Sequence, residues 1–123
     1  MKNIIKILII TVTVYIISCT NFSTTEYSTA DTKSYLKICP NTTVSELKKI
    51  SIEFKEKRNI DIDYSKSIFF DNGKINNLIL KVNTNDGYSG EASCTNAALK
   101  IKKFGFIRDN SKEAKQRFYL GAL

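Results

Sequence analysis

The sequence predicts an α+β domain of two layers, one helix packed on a small, mainly antiparallel sheet in the order strand, helix, strand, strand, strand. Three observations carry that expectation. Leu47, Ile50 and Phe54 recur at helical spacing behind Thr43 and Glu46, which stand at capping-box distance. Ile60, Ile62 and Tyr64 alternate with Asp61 and Asp63, as on a strand with one buried and one wet face. Two glycine turns, Asp71-Asn72-Gly73 and Asn85-Asp86-Gly87, punctuate the second half of the chain.

Taken in order, Tyr35 to Cys39 reads as the first strand, stopped by Pro40, which has no amide hydrogen to continue a ladder. On the helix, Lys48, Lys49, Glu53, Lys55, Glu56 and Lys57 occupy the outward surface, so its apolar stripe covers one side of a sheet. The strand from Ile75 sets Leu78, Leu80 and Val82 on one face and Ile79 on the other, beside Asn77 and Lys81. Tyr88 to Cys94 forms a fourth strand, weakened by Gly90 and Ala92. Leu99, Ile101, Phe104, Phe106 and Ile107 suggest a last strand, and Asn110 with Glu113 suggests a short terminal helix through Phe118. The helical crossover would lay the first strand parallel to the second in the same sheet, directly or one place removed.

The opening MKNIIKILIITVTVYIISCT sets the compartment. Lys2 and Lys6 form a short positive region, and Ile4 to Ile17 is almost wholly apolar, the length of a signal-peptide core and short of the roughly 20 residues that span a bilayer. Ile16-Ile17-Ser18-Cys19 then places aliphatic residues and a small residue directly before a cysteine. That string resembles a bacterial lipobox. The resemblance implies that Cys19 receives a diacylglycerol and becomes the first residue after cleavage, and several acyl chains hold a protein on a membrane where one does so only reversibly. The competing reading is an uncleaved anchor that happens to end near a cysteine. Residues 1–18 are accordingly expected to be a signal peptide and 19–33, rich in Ser and Thr, a tether. Residues 34–107 make the domain, and 108–123 a C-terminal tail with its short helix.

Cys39-Pro40-Asn41-Thr42-Thr43-Val44-Ser45-Glu46-Leu47-Lys48-Lys49-Ile50, with Asn72-Gly73-Lys74-Ile75 and Asp86-Gly87-Tyr88-Ser89-Gly90, resembles a small extracytoplasmic module of Bacteroidetes. Such modules occur in short lipoproteins and as accessory domains of BlaR-type sensor zinc peptidases and TonB-like envelope proteins. The HExxH helix of the peptidase half has no counterpart in this sequence. The resemblance therefore implies an accessory module and no protease activity.

Lys and Arg outnumber Asp and Glu by 19 to 12, and the acids are interspersed among the lysines, as in Glu53-Phe54-Lys55-Glu56-Lys57-Arg58. That describes a solvated surface better than the clustered basic face of a nucleic-acid binder. Without histidine the chain lacks the usual near-neutral general base and the commonest metal ligand. Asp61 and Asp63 share a strand face, and Asp71 and Asp86 sit in turns; alternation and turn chemistry account for them without catalysis or calcium. No phosphate loop, nucleophile elbow or metal-ligand spacing is present, so no catalytic residue, metal or cofactor is expected.

With Cys19 lipidated, Cys39 and Cys94 remain outside the cytoplasm as a candidate disulfide, worth about 4 kcal/mol by loop entropy, with buried thiols as the alternative. Phe69 and Phe70 are adjacent on a two-faced strand, so one ring should turn away from the helix and join Ile79 in a partner-binding patch. The C-terminal segment, with Phe104, Phe106 and Phe118, could instead cover that side. The expected function is a non-enzymatic envelope protein, held on a membrane by its N-terminal lipid, whose domain binds a protein or surface component. The alternative is a periplasmic inhibitor or accessory subunit of an envelope enzyme.

Overall fold

The computed structural model describes residues 24–123. The chain runs β1 (Glu26–Thr29), β2 (Lys33–Ile38), α1 (Val44–Arg58), β3 (Asp61–Asp63), β4 (Ile68–Phe69), β5 (Ile75–Asn83), β6 (Ser89–Thr95), α2 (Asn96–Ile101), β7 (Phe104–Asp109) and β8 (Phe118–Ala122). The class is α+β, with the described strands divided between two antiparallel sheets.

The first sheet has the order β1-β2-β7-β8, so the two ends of the described chain build it together. In the second, β5 is central. Asn77 pairs with both Ile68 and Thr95, which puts β4 and β6 on opposite edges of β5, and β3 follows β4's edge because Val82 pairs with both Ile62 and Gly90. The inner faces meet in one core: Leu36, Ile38, Phe104 and Phe106 from the first sheet, Ile75, Leu78, Leu80 and Val82 from the second. β6 lies against β8 along one side, and α1 fills the other, packed against β1 of one sheet and β3 of the other.

Local chemistry sets α1. The Thr43 side chain accepts from the Glu46 amide at 3.3 Å, and Asn59 ends the helix in the left-handed region at φ 54°, its amide bonded to the Lys55 carbonyl. Leu47, Ile50 and Phe54 are buried as the spacing predicts, and the Phe54 ring sits 5.2 Å from Phe106 and 6.2 Å from Tyr27. The Asn72-Gly73 turn closes the β4–β5 hairpin with Gly73 at φ 85°. In β7, a Cβ on Gly105 would stand 1.8 Å from the Leu36 carbonyl oxygen, so only glycine lets β2 and β7 approach this closely.

Four expectations are corrected. The first strand, β2, is not parallel to β3 in one sheet; it lies in the opposite sheet, antiparallel to β1 and β7. Residues 26–29, assigned to the tether, are strand β1, so the domain begins before residue 34. Asn96 to Ile101 is helix α2 rather than the start of a strand, with Thr95 accepting from the Ala98 amide at 3.2 Å. The tail 108–123 forms no helix: it finishes β7, turns, and returns as β8, where Phe118, Tyr119 and Leu120 pair with Arg108, Ile107 and Phe106. Lys-Glu-Ala-Lys-Gln favours helix, but it offers no apolar stripe to bury, and the aromatic run beyond it does so as a strand.

Candidate interaction surface

The second sheet keeps one face open. Its outward side chains form cross-strand rows: Asp61 beside Asn83 and Ser89, Asp63 beside Lys81 and Glu91, and Ile79 beside Ser93. In the second row a cation lies between two acids, which favours the register. Asp61 is held by Lys55 Nζ at 2.8 Å and by the Asn85 side-chain amide at 2.8 Å, and these bonds pull its pKa below the ordinary carboxylate value. Asp63 is lowered likewise, by the Ser65 side chain and by the Ser65 amide, which donates to it at 2.8 Å. Both are ionised at neutral pH and already engaged, the opposite of the raised carboxylic acid that proton donation requires.

The depressions on this surface are small. One beside Ile79 measures about 40 Å³ and one over Asp61 and Asn83 about 190 Å³, against roughly 300–1,000 Å³ for small-molecule pockets. A face this shallow suits contact with a broad surface.

Phe69, Phe70 and Ile79 do not form the single patch expected of them. Phe69 turns inward and meets Tyr64 edge-on at 6.3 Å between ring centres. Phe70 points out, 46 % exposed, at the hairpin where its amide bonds to the Lys74 carbonyl. Ile79 lies five residues further along β5, roughly 16 Å at strand rise, and is half-buried among Asp63, Lys66, Lys81 and Glu91. The C-terminal segment does not cover this face either, because Phe104 and Phe106 lie in the core and Phe118 packs 5.9 Å from Tyr88 on the other side of the sheet.

The cysteines are not joined to each other. Cys39 directly follows β2 of the first sheet, wholly buried, with its amide donating to the Thr42 hydroxyl at 3.1 Å. Cys94 sits in β6 opposite Leu78, and burial pushes its thiol up to about 11. The expected Cys39–Cys94 bridge is not formed: one residue follows a strand of the first sheet and the other lies within a strand of the second. Cys19, the lipidation candidate, lies outside the described residues.

The strongest polar cluster was not visible from sequence. Arg108 on β7, nearly buried, donates through Nη2 to Asp86 at 2.7 Å and through Nη1 to the carbonyls of Asp109 and Arg117 at 3.0 and 3.1 Å. Its guanidinium lies 4.6 Å over the Tyr88 ring, and Asp86 also accepts from the Thr84 hydroxyl. Every donor group of this arginine has a protein partner, so the cluster is a clasp between sheets and offers no open position for a ligand.

Among the described residues, no three or more Cys, Asp or Glu side chains gather where they could hold a metal ion, and no helix is long and apolar enough to cross a membrane. Comparison with protein-family models, with curated proteins and with solved structures matches this chain to none of them.

Proposed function

We propose that this chain is a lipid-anchored protein of the bacterial cell envelope whose small, non-catalytic domain binds a protein or a surface component outside the cytoplasm. The observation that carries the reading is Ile16-Ile17-Ser18-Cys19 closing a basic, apolar leader. The domain is consistent with it: β1 begins at Glu26, so an ordered body follows Cys19 after only a short connection. The open β3-β5-β6 face adds support for binding over turnover, since Asp61 and Asp63 are ionised and bonded and its depressions are smaller than a typical small-molecule pocket.

Intact mass of membrane-extracted protein, beside a Cys19→Ala variant, tests the anchor. The expected result is residues 19–123 plus acyl chains, lost in the variant. A full-length mass in both would overturn it. Crosslinking in native membranes through lysines of the open face, with Lys81→Ala as the comparison, then tests the surface; adducts indifferent to that change would exclude it.

A further inference from the structure

The chain enters the described domain at a particular end. Thr25 bonds through its hydroxyl to Thr42 and to Glu46, at the start of α1. Glu26 receives Lys103 Nζ at 2.7 Å, just after α2. The β4–β5 hairpin closes the same end: Val44 donates its amide to the Gly73 carbonyl at 2.9 Å, Thr43 bridges to Lys74, and Asn96 at the head of α2 donates to the Ile75 carbonyl at 2.8 Å.

Three large apolar side chains stand in solvent there: Val44 at 37 %, Phe70 at 46 % and Ile101 at 88 %. Of the other exposed ones, Ile68 stands two residues before Phe70 on the same hairpin, and Ile52 and Tyr119 lie on the body of α1 and on β8. Lys100 and Lys102 flank Ile101 and are exposed, and Lys74 lies across the hairpin from Phe70. An isoleucine left almost wholly in water between two lysines gains nothing from folding and is suited to a bilayer interface, where the apolar tip enters and the ammonium groups meet headgroups.

Chain length selects the bilayer as the occupant. Six residues, Thr20–Thr25, separate Cys19 from β1, and fully extended they reach roughly 20 Å. A lipid on Cys19 would therefore keep this end, rather than the far one, against the membrane. We propose that the end bearing Val44, Phe70 and Ile101 rests on the membrane surface, its lysines over anionic lipid headgroups, which directs the remaining surface away from the bilayer. This orientation rests on the lipid-anchor reading.

The chain has no tryptophan, so a single introduced indole reports its own surroundings. Full-chain protein carrying Ile101→Trp, Phe70→Trp or Lys112→Trp is reconstituted into vesicles of phosphatidylethanolamine and phosphatidylglycerol containing brominated acyl chains. Position 112 follows β7 beside the β1–β2 turn, where Asn110 bonds to the Thr32 carbonyl, at the far end of both strands. The indoles at 101 and 70 should blue-shift and lose emission roughly twofold or more, and the one at 112 should not change. Quenching should weaken when phosphatidylglycerol is omitted. Intact mass of the same samples reads the anchor separately. Acylated protein with unquenched indoles at 70 and 101, or with all three quenched alike, overturns this orientation and leaves the anchor standing. Unacylated protein overturns the anchor; quenching confined to 70 and 101 would then still support the surface, and its absence would overturn that as well.

Discussion

Arg108 Nη2 donates to Asp86 Oδ2 over 2.7 Å, and this pair fastens the β5–β6 turn of the second sheet to β7 of the first. The two ends differ in setting: the arginine side chain is 9 % exposed and the aspartate 48 %. Asp86→Ala strands a nearly buried cation, yet water can reach the site from the vacated side. The expected loss is therefore about 2 kcal/mol, below the roughly 3–5 kcal/mol of a fully buried pair. Urea unfolding checks it, and in a double-mutant cycle with Arg108→Met the pair should couple by roughly 1 kcal/mol. Additive losses would mean that the arginine is held by its carbonyl partners alone.

Acid should weaken the fold through the same group. The hydrogen bond from Arg108, and then that from Thr84, hold Asp86 below its ordinary value of 3.8, against the upward pull of burial. A folded-state pKa lower than the unfolded one contributes stability that is fully present above the unfolded value and is lost as pH falls through the folded one. Asp61 and Asp63 shift the same way. Stability should thus be flat from neutral pH down to about pH 5 and fall below about pH 4, with a shallower fall in Asp86→Asn. Equal acid limbs for the two proteins would remove Asp86 from the account.

Gly105→Ala should be the most damaging small change in the domain. The added methyl would lie 1.8 Å from the Leu36 carbonyl oxygen, a backbone atom that moves only if the β2–β7 ladder opens. That ladder joins the two middle strands of the first sheet, with Leu36 facing Phe106. A cost of about 3 kcal/mol or more is expected, seen as a large drop in melting temperature by circular dichroism or as loss of soluble protein. A melting temperature within a few degrees of the parent would show that the strands can separate cheaply.

Cys94 should be a sluggish nucleophile. With its thiol pushed from 9.0 to about 11, the thiolate fraction at pH 8 falls roughly a hundredfold, and iodoacetamide should modify the folded protein that much more slowly than the urea-unfolded one. Rates that match in both states would mean that the folded domain does not shield Cys94.

What the sequence made legible was local. Thr43 with Glu46, and the stripe of Leu47, Ile50 and Phe54, specify α1 within a few turns of chain, and the Gly73 and Gly87 turns specify their hairpins. β1 was not legible because Glu-Tyr-Ser-Thr has the composition of a tether; it is a strand only because β2 supplies its partners, with Tyr27 opposite Leu36. α2 does carry a local signal: Thr95 before Asn-Ala-Ala-Leu-Lys is a cap followed by good helix formers. The outward turn of Phe70 followed from strand alternation, but its separation from Ile79 depended on the register of β4 against β5, which no local pattern fixes. The Arg108 clasp joins residues 22 apart across two sheets, and neither residue type announces the other.

The order in which the strands pair bears on how the molecule is made. Ser34 faces Arg108 and Leu36 faces Phe106, so β2 cannot find its central neighbour until some seventy further residues exist. A chain synthesised from its N-terminus can close the β5–β6 hairpin early, while the first sheet waits for almost the last segment. Until then Leu36 and Ile38 have no sheet to enter, and the polypeptide stays in a form that can still be threaded through a narrow opening.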